Sequence, residues 1–163
     1  MEEEYSVWAL PPPEARNRIK DLMRVLRSEF GGPEFDPHIS LTRESASRHL
    51  KSASETLSPF TARVSAVSGR HLIFESTPQV MEVSARCCGY FGFKYSRPYT
   101  PRSSLLYGEL TEEKNERVQK RVLELDQEIV GFTFEVSEIG LAETDTEDKS
   151  LKSWEIVEIM KLY

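Results

Sequence analysis

Cysteine is scarce in this sequence, and the two cysteines that it has are adjacent. Cys87 and Cys88 are the only ones among 163 residues. Neighbouring cysteines are poorly placed for an ordinary structural disulfide, and no second pair is present to complete a tetrahedral metal site. We therefore expect both thiols to be reduced, with Cys88 facing the core.

Long apolar runs and a positively charged start are also missing. The longest apolar runs are far too short to span a bilayer. The chain opens with Met followed by three glutamates, so it lacks the positive start of a signal peptide. These absences predict a cytoplasmic protein with no membrane association.

An excess of positive charge is absent as well. Lysine and arginine total 21 against 27 aspartates and glutamates, which gives a net charge of −6. This balance argues against binding to long nucleic acids, although it permits a basic pocket for one small phosphate. Four basic residues do follow one helix flank, and they favour a solvated surface over a polyanion-binding face. They are Arg16, Lys20, Arg24 and Arg27.

The order of the predicted elements indicates the fold class. A chain of 163 residues that is 39% hydrophobic and 29% charged is long enough for one soluble domain with a sizeable core. The predicted order is strand, helix, strand, helix, strand pair, helix, strand, helix, strand, strand. This order predicts an α+β fold in which helices pack outside mostly antiparallel sheets. We expect a single domain of two lobes over residues 1–163.

The boundaries of these elements follow from turn residues and apolar periodicity. Helices are predicted to begin at Pro13, near Ala46, at Pro78 and after a Thr111 cap. Strands are predicted over 5–10, 38–42, 61–68, 71–76, 103–107, 132–141 with a bulge near Glu138, and 154–160. A loop is predicted over 90–100.

Two predicted strands begin with matching motifs. Residues 37–41 read Pro-His-Ile-Ser-Leu and residues 101–105 read Pro-Arg-Ser-Ser-Leu. The basic residues and the serines have the same separation, because 102 − 38 and 104 − 40 both give 64. Residues two apart on a strand face the same side, so each motif presents a basic group and a hydroxyl together. We call these two segments the motif strands.

The two motifs differ in the one residue that decides the chemistry. His38 can pass protons near neutral pH, whereas Arg102 stays charged and only donates hydrogen bonds. Metal-free cleavage of a phosphodiester needs a base, an acid and donors for the phosphoryl oxygens. The motif strands therefore predict a phosphate site. Arg102 itself has three interpretations: a phosphate clamp, a surface arginine in a decayed site, or a residue that points away.

The chain resembles the two-histidine phosphoesterases, and in particular the plant-type cyclic phosphodiesterases. The resemblance runs through nearly the whole chain, and the order of four segments makes it specific. These segments are 5–11, 37–40, 104–107 and 144–149, the last of which precedes Trp154-Glu155.

The resemblance implies a two-lobed fold with one motif strand from each lobe lining a central groove. It implies hydrolysis of nucleoside 2′,3′-cyclic phosphates and of ADP-ribose 1″,2″-cyclic phosphate, without a metal or other cofactor. It makes His38 and Ser40 the first catalytic pair, with Arg102 and Ser104 in the second position and Tyr107 near the ligand. The implied partner is a small nucleotide or cyclic phosphate bound by a monomer.

The sequence departs from the family at Arg102, where the family has a second histidine. We therefore expect impaired turnover, and the alternative is a non-catalytic module that binds cyclic phosphates, nucleotides or a protein. His49 is interpreted as structural. His71 could replace the missing histidine only if its strand reaches the groove. Tyr107 is a ligand contact or a core aromatic, and the acidic residues between 143 and 148 favour a solvated loop over a cation site.

Overall fold

The structure is a computed structural model that describes residues 5–45, 57–91, 99–144 and 148–162. The helices are α1 (Pro13–Phe30), α2 (Pro78–Phe91) and α3 (Glu112–Leu125). The strands are β1 (Tyr5–Leu10), β2 (Ile39–Ser45), β3 (Phe60–Ser68), β4 (His71–Phe74), β5 (Arg102–Ser104), β6 (Thr133–Val136), β7 (Glu138–Glu143) and β8 (Glu155–Lys161). None of the helices in these ranges combines the length and the apolar character that crossing a membrane requires.

The strands form two four-stranded antiparallel sheets. The first sheet has the order β2-β1-β7-β8 and the second has the order β5-β4-β3-β6. The predicted α+β fold with antiparallel sheets is therefore confirmed. The two motif strands, β2 and β5, each occupy an edge position in their sheet.

Helix α1 buries one apolar face in the core and packs against α3. It begins at Pro13, as predicted, because proline is tolerated in the first helical turn, where its missing N–H would have no partner. Gly31 ends it with φ +82, a left-handed conformation that glycine adopts without steric cost. The predicted apolar stripe is buried in the core together with the inward residues of β1 and β7. Its buried members are Ile19, Leu22, Met23 and Leu26.

Helix α3 begins where the sequence predicted. The Thr111 hydroxyl accepts a hydrogen bond from the Lys114 backbone N–H at 3.1 Å, which satisfies one donor of the first turn. Val118 and Val122 are fully buried, and the helix packs against α1 and against β3.

Strands β3 and β4 form the predicted hairpin. Gly69 in the turn has φ +56, and this conformation lets Ser68 pair directly with His71. The turn is held by the Gly69 N–H, which donates to Gln119 Oε1 at 2.9 Å. The hairpin thereby fixes the position of His71 beside β5.

The predicted bulged strand over 132–141 is wrong, because the structure has two strands there. Val136 pairs with Phe60 in the second sheet, whereas Glu138 pairs with Leu10 in the first. Strand β6 buries every second residue, whereas the middle of β7 is buried on both of its faces. The change in the apolar pattern therefore marks the passage of the chain between sheets at Ser137.

Several predicted boundaries also need correction. Strand β4 ends at Phe74, and β5 ends at Ser104, although strands to 76 and 107 were predicted. Leu105 and Leu106 are both buried, and such consecutive burial is incompatible with continued alternation at an edge strand.

One face of α2 packs into the core. Val80, Val83, Ser84 and Cys87 are buried there, whereas Ala85 is exposed. Cys87 is thus a core residue. The side chain of Cys88, most of the predicted loop and the predicted helix near Ala46 lie outside the described residues.

A salt bridge ties the helices of the two sheets together. The Arg18 guanidinium on α1 donates two hydrogen bonds, of 2.7 and 2.8 Å, to the carboxylate of Asp126, which follows α3. The same guanidinium lies 4.3 Å from the ring centroid of Phe132, which immediately precedes β6. This contact stabilises the placement of α1 relative to the second sheet.

Candidate active site

The first motif strand presents His38 on a stacked aromatic base. His38 lies directly before β2 and is 7% exposed. Its ring is parallel to that of Trp8, with centroids 3.6 Å apart and an interplanar angle of 10°. Phe35 meets the imidazole edge-on at 6.3 Å. These contacts on two sides fix the position of the imidazole.

Ser40 lies on the same face of the sheet as Trp8. These two residues are direct partners in the ladder between β1 and β2, and direct partners project to the same side. Ile39 and Leu41, on the opposite face, are fully buried in the core. His38 and Ser40 therefore point away from α1, as their two-residue spacing predicted.

The hydrogen bond of His38 identifies which nitrogen can accept a proton. Nδ1 lies 2.7 Å from the backbone oxygen of Asp36. A carbonyl oxygen only accepts, so Nδ1 carries the hydrogen and donates it. In the neutral imidazole the lone pair is then on Nε2, which is the form required of a general base.

The second motif strand presents Arg102 and Ser104 on the face opposite to the core. In the ladder between β4 and β5, Leu72 pairs with Ser103, and both are fully buried. Arg102 is exposed and Ser104 is half-buried, in agreement with their position on the other face. Arg102 makes no ion pair with any residue in the described ranges. Its guanidinium is thus available to an anion.

The two motif strands are adjacent in space. Strand β2 of the first sheet contacts β5 of the second. The hydroxyl of Tyr99, three residues before β5, donates to the backbone oxygen of Ser40 at 2.7 Å. Gly32, which has φ +106, packs against the segment after β5, since a Cβ there would lie 3.0 Å from the Tyr107 carbonyl oxygen. These contacts bring the two basic residues and the two serines to the neighbouring edges of the sheets.

An aromatic row connects the two motif strands. Tyr107 meets Trp154 at 5.5 Å, and Trp154 meets Trp8 at 6.1 Å, so the row reaches His38 through the stack on Trp8. No functional role was predicted for Trp8 or Trp154. A signal was present, however, because both tryptophans lie in or beside the segments that carry the family resemblance.

A cavity of about 530 Å³ lies beside this row. Trp8 and Trp154 line it with Phe35, Asp36 and Lys152. The volume is in the range of small-molecule sites, and the lining combines flat apolar rings with one cation, Lys152, and three carboxylates, those of Glu34, Asp36 and Glu155.

His71 lies on the same face as the second motif. It is the direct partner of Ser104 in the ladder between β4 and β5 and is half-buried. Strand β4 therefore pairs directly with the second motif strand. His49 lies outside the described residues.

Asp148, the last acidic residue of the run between 143 and 148, lies at the start of a turn that extends to Ser153. Its carboxylate accepts hydrogen bonds from the hydroxyls and backbone N–H groups of Ser150 and Ser153. These bonds, the Ser150 hydroxyl first among them, hold the pKa of Asp148 well below its usual value. Within the described residues, no group of His, Cys, Asp and Glu side chains has the arrangement of a metal site.

The fold is similar to that of several solved structures. LigT of E. coli complexed with 3′-AMP superposes with a TM-score of 0.58 at 12% identity over 99% of both chains. The same protein complexed with NADP⁺ gives 0.62 at 12% identity over 98% of both chains. A third structure, TT0787 of Thermus thermophilus, gives 0.61 at 12% identity over 98% of this chain and 97% of that chain.

Sequence comparison identifies a relative of much higher identity than these structures. No family model matches the chain. The cyclic phosphodiesterase of Arabidopsis thaliana is 41% identical over 171 residues, which cover 97% of this chain and 94% of that protein. The chain therefore belongs to the cyclic phosphodiesterase family.

Proposed function

We propose that this protein hydrolyses nucleoside 2′,3′-cyclic phosphates or ADP-ribose 1″,2″-cyclic phosphate by metal-independent acid/base chemistry, at a rate reduced by Arg102. The observation that carries the proposal is the imidazole of His38, held between two aromatic rings with Nε2 as its proton acceptor. The relationship to the Arabidopsis enzyme supports the reaction type.

In the proposed reaction, the phosphate lies between the two motif strands. The hydroxyls of Ser40 and Ser104 donate to phosphoryl oxygens, and the Arg102 guanidinium binds two of these oxygens as a fork. Both contacts become stronger as negative charge develops on the phosphoryl oxygens. Tyr107, at the end of the aromatic row, contacts the nucleoside. The expected ligand is a single nucleotide bound by a monomer.

His38 performs one of the two proton transfers. Water adds to phosphorus while the bond from phosphorus to one ribose oxygen breaks, so one proton leaves the water and one reaches the departing oxygen. Arg102 cannot exchange its proton, and loss of one acid/base group typically costs about 10²–10⁴-fold in rate. Turnover by the unaltered chain is therefore weak.

Ring opening of adenosine 2′,3′-cyclic phosphate, followed by ³¹P NMR, tests this proposal. We expect Arg102→His to raise the rate of monophosphate formation by about 10²–10⁴-fold, because it restores a second imidazole on β5. His38→Ala should abolish the gain, and EDTA should leave it unchanged. Equal turnover by the Arg102→His variant and by the double variant that also carries His38→Ala would refute the role of His38.

A second function is favoured by the exposure of Arg102. An arginine without an ion pair among the described residues suits a receptor that binds a cyclic phosphate without opening it. Tight binding of the cyclic nucleotide, with no product from the unaltered chain or from Arg102→His, would identify this function instead.

A further inference from the structure

We propose that His71, on strand β4, is the second proton-transfer group of this active site and that it acts in place of the histidine that Arg102 replaces. The inference rests on the proposed hydrolysis and names the residue that completes it. It assigns two tasks to two side chains of the second sheet: charge stabilisation to Arg102 and proton transfer to His71.

The register of the second sheet determines the position of His71. In the ladder between β4 and β5, His71 pairs with Ser104 and Ile73 pairs with Arg102. Directly opposite residues have Cβ atoms about 4.5–5.5 Å apart and project to the same side. The imidazole is therefore the immediate neighbour of the hydroxyl proposed to bind the phosphate.

The burial pattern shows which side of the sheet carries these residues. Leu72 and Ser103, which alternate with His71 and Ser104, are 0% and 1% exposed. His71 and Ser104 are half-buried and Arg102 is exposed, so all three lie on the face opposite to the core. The imidazole of His71 therefore lies on the same face of the second sheet as the residues proposed to bind phosphate.

The position relative to the first motif explains a reduced rate. Strand β5 contacts β2, and β4 is the next strand beyond β5. His71 therefore lies one strand farther from His38 than residue 102 does, a step of about 4.8 Å. An imidazole this much farther from His38 shares the two proton transfers with it in a less favourable geometry than an imidazole at position 102.

Two imidazoles account for both proton transfers of the proposed hydrolysis. One imidazole takes the proton of the attacking water as the new phosphorus–oxygen bond forms. The other imidazole gives its proton to the ribose oxygen as the old phosphorus–oxygen bond breaks. Water is the only co-reactant, and the two imidazoles return to their initial states by exchanging protons with solvent. Arg102 keeps its charge throughout and stabilises the phosphoryl oxygens.

A double-mutant cycle with His71→Gln and Arg102→His tests the inference. Glutamine keeps a hydrogen-bonding side chain but cannot transfer protons. We expect His71→Gln to lower ring opening of adenosine 2′,3′-cyclic phosphate by about tenfold or more in the unaltered chain. In the Arg102→His background, His71→Gln should lower the rate of ring opening by less than about threefold, because β5 then carries its own imidazole.

Ser68→Ala provides the matched control. Ser68 is exposed and pairs with His71 from the β3 side, so it shares the strand neighbourhood without contacting β5. Its replacement should leave the rate within about twofold. Thermal melting of each variant verifies that the hairpin folds, and a His71→Asn variant repeats the test if His71→Gln unfolds.

The outcomes separate this inference from the proposed function. Turnover by the unaltered chain that His71→Gln does not change would overturn the role of His71 and leave the proposed function intact. Absence of turnover in Arg102→His as well would overturn the proposed function itself. A loss of turnover on His71→Gln that is reversed by Arg102→His would support both the role of His71 and the proposed function.

Discussion

The salt bridge between Arg18 and Asp126 should contribute measurably to stability because it joins the helices of the two sheets. The side chain of Arg18 is only 33% exposed and that of Asp126 only 18%. The Arg18 guanidinium donates two short hydrogen bonds to the Asp126 carboxylate. A hydrogen bond to a charged group typically contributes about 1.5–3 kcal/mol, and an exposed cation–π contact about 0.5–1 kcal/mol. Arg18→Met keeps an aliphatic side chain but removes the hydrogen bonds and the cation–π contact. We therefore expect this substitution to lower the free energy of unfolding by about 2–3 kcal/mol.

Urea denaturation measures this cost. At an m-value of about 2 kcal/mol/M, a loss of about 2 kcal/mol lowers the unfolding midpoint by about 1 M. Arg24→Met is the control on the same helix, since Arg24 is 71% exposed and its contact with Asp21 is 3.5 Å long. The control should cost less than about 0.5 kcal/mol. Equal midpoints for the two variants would refute the reasoning.

The same pair predicts a pH dependence with a definite sign. The hydrogen bond from Arg18 is the main cause that lowers the pKa of Asp126 in the folded protein. A carboxylate with a lowered pKa contributes stability that is fully present above its unfolded pKa of about 3.9. The stability difference between the unaltered chain and Arg18→Met should therefore be constant above about pH 5 and shrink as the pH falls below about 4. A difference that grows on acidification would contradict the assignment.

Two further predictions concern the cap of α3 and the proposed phosphate clamp. Thr111→Ala removes the acceptor for the Lys114 N–H and should lower the free energy of unfolding by about 1 kcal/mol, whereas Glu116→Ala at an exposed position of the helix should have little effect. Arg102→Ala should weaken the affinity for inorganic phosphate, measured by calorimetry, by about tenfold or more, because a charge-assisted contact of at least about 1.4 kcal/mol is lost. Arg117→Ala, which removes an equal charge from α3, should leave the affinity unchanged within about twofold.

The features that the sequence predicted correctly are local. Pro13 and Thr111 begin their helices because a missing N–H and a side-chain acceptor act within one turn. The two-residue spacing of His38 and Ser40 determined that they share a face, whatever the partner strand. Such predictions need only the geometry of a single element.

The features that it missed depend on distant partners. The stack of His38 on Trp8 and the pairing of His71 with Ser104 join residues that are far apart in the sequence. No periodicity within one segment encodes these contacts, because they arise from strand order and register.

The most direct test of the central claim is a crystal structure of the unaltered chain with inorganic phosphate or a mononucleotide bound. We predict phosphorus between the two motif strands, with oxygens bound by the Arg102 guanidinium and by the hydroxyls of Ser40 and Ser104, and with His38 Nε2 facing the phosphate. A phosphate bound elsewhere, or no anion at this position at saturating concentration, would contradict this claim.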